Sequence, residues 1–76
     1  MGGQVSLSVT AWRLTDRSGT PTNCVISERD GRWHLIVRRG SDVVFSERCG
    51  TDDAALGRAN EIWRVLRDQG WTEPMH

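Results

Sequence analysis

The sequence predicts an α+β fold, an antiparallel β-meander of three to four strands with one C-terminal α-helix packed on one face (β-β-β-β-α). Three observations predict it. Residues 32–38 alternate without a break, with Trp33, Leu35 and Val37 on one side and Arg32, His34, Ile36 and Arg38 on the other. Asp30-Gly31 separates this run from another alternating run, and Asp-Gly is a strong hairpin signal because a type I′ turn needs positive φ at both central residues. After Gly50 the apolar period changes from 2 to 3.6, the mark of a helix.

The elements are taken in chain order. Val5, Leu7, Val9 and Ala11 alternate with Ser6, Ser8, Thr10 and Trp12, predicting a strand over residues 5–14 after a flexible start at 1–4. Residues 15–23, "TDRSGTPTN", are dense in turn formers and hold Pro21, so they read as a connector. Strands are predicted over 24–29, 32–39 and 43–49, and a helix over 52–69. Thr51 is the expected N-cap, with Asp52 and Asp53 at the positive end of the helix dipole. Ala55, Leu56, Ala59, Ile62, Trp63 and Leu66 form its apolar stripe. Gly70 ends the helix as a left-handed C′ residue, Trp71 folds back over the last turn, and residues 72–76 form a flexible tail. Gly57 lies off the stripe, where it costs about 1 kcal/mol relative to Ala.

Register is set by the turn. A two-residue loop at Asp30-Gly31 pairs Arg29 with Arg32, Ser27 with His34 and Val25 with Ile36 on one face. Glu28-Trp33, Ile26-Leu35 and Cys24-Val37 pair on the other, because a slip of one residue would exchange the faces. A three-residue loop at Gly40-Ser41-Asp42 then sends Val43, Phe45 and Cys49 to the core and leaves Val44, Ser46 and Arg48 outside. Cys24 and Cys49 fall two strands apart, about 9 to 10 Å sideways, beyond the ~7 Å between Cα atoms that a disulfide tolerates. Two unbridged cysteines suit a reducing compartment, and the chain reads as cytoplasmic.

Composition narrows the function. The 76 residues carry ten basic and ten acidic side chains, for a net charge of zero. That balance argues against non-specific binding of polyanions. All ten basic residues are Arg, which reflects either codon bias or use of the planar guanidinium fork. No apolar run approaches the ~20 residues that cross a bilayer. His34, His76, Cys24 and Cys49 have no metal-ligand spacing, so no metal or other cofactor is expected. "CGTDD" opens a helix with two Asp where a phosphate would sit. Ser27 and His34 are cross-strand neighbours, but an open sheet offers no oxyanion site. The chain therefore reads as no enzyme.

The pattern "WHLIV" at 33–37, "DDAALGRANEIWRVL" at 52–66 and "GW" at 70–71 resembles a group of small bacterial domains of unknown function, over about half the chain. The resemblance implies a strand meander and an Ala-rich helix ending in Gly-Trp, and it implies no activity. Double-stranded-RNA-binding domains have a related shape, but their first helix and their lysine cluster have no counterpart here.

The open sheet face remains as the place for a function. Trp12, Val25, Ile36 and Val44 are expected to form an apolar half, with Arg29, Arg32, His34, Arg38 and Arg48 forming a basic half. Aromatic plus Arg is the composition of binding hot spots. The expected role is a regulatory or accessory protein-interaction module, for instance an inhibitor of a larger complex. Its partner would be a protein or a second copy of the chain, as a homodimer. The alternative is single-stranded nucleic acid, with Trp12 and His34 stacking on bases and the arginines meeting phosphates.

Overall fold

Period-two alternation builds four strands in a computed structural model that describes residues 7–73. They are β1 (Leu7–Thr15), β2 (Pro21–Arg29), β3 (Arg32–Arg39) and β4 (Asp42–Cys49), followed by the helix α1 (Asp52–Asp68). The sheet is antiparallel in the order β1-β2-β3-β4, as the alternation predicts. The expected flexible start at 1–4, together with Val5, Ser6 and residues 74–76, lies outside the described residues.

The central hairpin has the predicted register. Asp30 and Gly31 take φ of 55° and 75°, the two positive angles of a type I′ turn. Arg29 then pairs with Arg32, Ser27 with His34, Val25 with Ile36, Ile26 with Leu35 and Cys24 with Val37. Leu35 and Val37 are buried and Trp33 packs against the same cluster.

Strand β2 begins three residues earlier than the turn-rich composition predicts. Pro21 is its first residue, where a missing N–H does no harm, and its carbonyl accepts from Gly40 N–H at 2.8 Å. The connector shrinks to residues 16–20 and is organised by Asp16. One oxygen of that carboxylate, Oδ1, accepts from Ser18 N–H (2.9 Å), Ser18 Oγ (2.7 Å) and Thr20 N–H (2.9 Å), while Oδ2 accepts from Arg39 Nε (2.7 Å).

Two bulges correct the expected faces of the outer strands. In β1 the pairing steps from Thr10-Val25 to Trp12-Cys24, so Ala11 is an extra residue. A bulge reverses the parity of the residues beyond it. Trp12 therefore turns under the helix instead of outward, and Leu14 becomes fully buried behind it. Burying one such leucine contributes about 1.5–3 kcal/mol, and continuing the simple alternation would have left it in water. In β4 the turn is the two-residue Gly40-Ser41, with Arg39 paired to Asp42 and a positive φ of 63° at Gly40. Val44 is the extra residue there, between Arg38-Val43 and Val37-Phe45. Phe45 and Cys49 reach the core side as expected. Val43 moves to the open face beside Arg38, and Val44 is the bulge residue rather than a member of a flat outer row.

The helix is capped at both ends. Thr51 Oγ1 accepts from Ala54 N–H at 3.1 Å. At the other end Gly70, at φ 94°, lets Trp71 N–H reach Leu66 O (3.1 Å) and Gly70 N–H reach Arg67 O (3.0 Å), a Schellman pair of bonds. Thr72 belongs to the fold rather than to a loose tail. Its backbone exchanges two hydrogen bonds with Thr15, of 2.6 and 3.0 Å.

These ends set the helix on a diagonal. It leaves β4 at Cys49, in the cross-strand row Leu7–Glu28–Trp33–Cys49, and is tied to β1 at Thr15, at the opposite end of the sheet. Ala55 and Ala59 are the buried helix residues, over Cys24, Ile26, Leu35 and Val37. The corner at the start of β1 stays uncovered, with Leu7 and Val9 51% and 54% exposed. Leu56, expected in the buried stripe, is 51% exposed because it sits on the flank of the helix rather than beneath it.

Candidate binding face

Period two places every second residue of each strand on the side away from the helix, and three cross-strand rows organise that side. The middle row is Thr10, Val25, Ile36 and Ser46. Next to it lies Ser8, Ser27, His34 and Arg48, with Arg29 and Arg32 paired beyond. On the other side of the middle row lies Arg13, Asn23, Arg38 and Val43. Val25, Ile36 and His34 are half-buried by their neighbours, while the five arginines are exposed.

The charge on this side is of one sign. Of the ten arginines, Arg13, Arg29, Arg32, Arg38 and Arg48 lie on it. None of the ten acidic residues does. Glu28, Asp42 and Glu47 alternate to the helix side of their strands, and the others belong to turns, the helix and the segment after it. The ion pairs among the described residues are Arg39–Asp16 (2.7 Å), Arg58–Glu47 (3.0 Å) and Arg58–Glu61 (3.5 Å). No open-face arginine takes part in them. A net charge of zero thus conceals a basic sheet face and an acidic remainder.

The sequence-predicted site is brought together only in part. Val25, Arg29, Arg32, His34, Ile36, Arg38 and Arg48 share the open face as the alternation predicts. Trp12 does not join them. Its indole Nε1 donates to Ala59 O at 2.9 Å on the helix side. Val44 is a bulge residue at the sheet edge, 55% exposed. Sequence reasoning missed Arg13 and Val43, whose faces depend on the two bulges. The apolar content of the face is therefore aliphatic, Val25 and Ile36 with Val43 near, and among the described residues its one ring is His34.

Compared with family models, with curated proteins and with solved structures, the chain matches none of them.

Other places on the molecule have less to offer chemically. Burial, helped by the neighbouring Cys49, pushes the Cys24 thiol up to about 11, so it is a poor nucleophile at neutral pH. Burial also raises Cys49, with the Glu47 carboxylate acting in the same direction. Both cysteines are free. A shallow cleft of about 410 Å³ lies between β1 and the helix, lined by Ala11, Trp12, Arg13, Asn60, Trp63 and Glu73. Among the described residues no three His, Cys, Asp or Glu side chains gather to hold a metal ion, and no helix is long and apolar enough to cross a membrane.

Proposed function

We propose that the chain is a small non-enzymatic interaction module, regulatory or accessory in role, which docks a protein partner through the open face of its sheet. The observation that carries this reading is the middle of that face. Val25 and Ile36 stand side by side on the two central strands, with exposed arginines at both ends of the row pattern and no helix above them. An aliphatic centre within a charged rim is the layout of a protein-binding patch. The two unbridged cysteines fit a reducing cytoplasm, which we take as its compartment.

Self-association through this face is the weaker version. Stacking two copies face to face would confront five arginines with five more, and like charges across an interface are costly. Single-stranded nucleic acid is the second reading, and one observation favours it: the face carries no carboxylate to repel phosphate. It lacks a stacking platform among the described residues, because Trp12 lies under the helix and His34 is the only described ring on that side.

Photo-crosslinking in the native cell tests the proposal. A photoreactive residue at Ser46, on the open face, should yield one discrete protein adduct that Ile36→Thr abolishes. The same probe at Arg64, on the exposed side of the helix, should yield none. Equal labelling from both positions, or an adduct indifferent to Ile36→Thr, would overturn the reading.

A further inference from the structure

The segregation of charge, taken with the aliphatic centre, specifies the partner's chemistry. We infer that the open face recognises an acidic protein segment, one that presents an apolar side chain flanked by Asp or Glu. This rests on the reading that the open face is the binding surface, and it adds what that surface selects.

The argument begins with the arginines. A buried or exposed carboxylate commonly satisfies a guanidinium within a domain, and this fold does so for Arg39 and Arg58. The open-face arginines have no such partner among the described residues, although the chain holds as many acids as bases. Every acid lies elsewhere, on the helix side of its strand, in a turn, in the helix or in the segment after it. The outcome is a set of exposed guanidinium forks, each with five N–H donors and matched in shape to carboxylates.

Position separates the possible anions. The basic groups stand at two ends, Arg29, Arg32 and Arg48 at one and Arg13 and Arg38 at the other. Arg32 and Arg38 are six residues apart along one strand, about 20 Å at 3.3 Å per residue. Between them lie Val25 and Ile36 rather than more charge. A nucleic-acid strand sets phosphates continuously along that span and asks for aromatic side chains under its bases. A polypeptide whose apolar residue rests on Val25 and Ile36, with carboxylates to either side, matches both ends and the middle. Overall neutrality does not weaken this, because Glu28, Asp42, Glu47 and the four acids of the helix lie on the other side of the sheet and leave the basic face open to a negative partner.

The test uses the whole chain, isotope-labelled, with two probes. One is a synthetic peptide of Asp and Glu flanking Leu-Ile, and the other is an oligothymidylate. The peptide should shift the amide signals of Ser27, His34, Ile36 and Ser46 and leave those of the helix in place. The double variant Arg32→Gln/Arg48→Gln should weaken the peptide about tenfold or more, while Arg64→Gln leaves it unchanged. The side chains replaced in these variants are exposed, so an unaltered amide spectrum of the free protein certifies the fold. Tighter binding of the oligothymidylate, falling steeply between about 50 and about 200 mM salt, would overturn the inference in favour of nucleic acid. Silence from both probes would overturn it as well. In that case, a Ser46 adduct in cells that survives Arg32→Gln/Arg48→Gln would leave the broader interaction role standing and remove only the acidic partner.

Discussion

Trp12 and Ala59, 47 positions apart, are joined by an indole N–H to carbonyl hydrogen bond of 2.9 Å. It links the edge strand β1 to the middle of the helix. Two features make it possible. The bulge at Ala11 turns Trp12 to the helix side, and the alanines at 55 and 59 let the helix lie close to the sheet. Trp12→Phe keeps a ring but deletes the donor, and should cost about 1 kcal/mol. Trp12→Ser removes the packing too and should cost about 3 kcal/mol, a large share of what so short a chain holds. Urea midpoints measure both. A Trp12→Ser protein of unchanged stability would mean that the side chain does not serve the core.

The contrast between the strands explains how far the residues alone could be read. Asp30-Gly31 determines its own hairpin because positive φ at two successive residues is a local demand, and everything paired by that turn was legible. The bulges were not. "VSLSVTAWRL" alternates equally well with or without an extra residue at Ala11, and the choice is made at long range, where the helix needs Trp12 and Leu14 beneath it. The same holds at Val44, where a tight turn at Gly40-Ser41 would face Phe45 outward unless one residue were added. Charge segregation was hidden for a related reason. Ten against ten sums to zero along the chain, and only the register reveals that one side of the sheet has no acid.

Thr22 sits on the helix side of β2, between Leu14 and Arg39 in its row, and is fully buried. Its Oγ1 has no hydrogen-bond partner among the described residues. A buried hydroxyl without a partner loses its water and gains nothing in exchange. Thr22→Val has the same branched shape and suits a strand. It should stabilise the protein by about 1 kcal/mol, which raises the melting temperature by roughly 4–8 °C in a domain of this size. A lower melting temperature would mean that the hydroxyl is satisfied in solution.

Asp16 makes the β1–β2 loop pH-dependent. The hydroxyl of Ser18, the Thr20 N–H and the Arg39 guanidinium hold its carboxyl well below its ordinary value of 3.8. A carboxyl that ionises more readily in the folded state contributes stability that is complete above the unfolded pKa, about 3.9. That contribution is lost as the pH falls below this value toward the folded one. Asp16→Asn cannot ionise, so its melting temperature should lie below that of the parent at neutral pH. The gap should narrow steadily as the pH falls from about 5 toward about 2. A gap that stays constant over that range would assign the effect of Asp16 to shape rather than charge.

Gly57 occupies the helix interior, and a Cβ built there meets nothing within 4 Å. Its φ is not in the left-handed region, so no turn or close contact requires glycine. Alanine should therefore stabilise the helix by about 1 kcal/mol through propensity alone, seen as a higher urea midpoint with the same slope. Gly70 is the internal control. There φ is 94° and an added Cβ would come within 3.1 Å of Arg17 Nε, so Gly70→Ala should destabilise. The two substitutions thus have opposite signs in one helix, one inside it and one just past its end. A destabilised Gly57→Ala protein would count against a free surface at that position and would require a second chain, present in the folded sample, packed close to the helix.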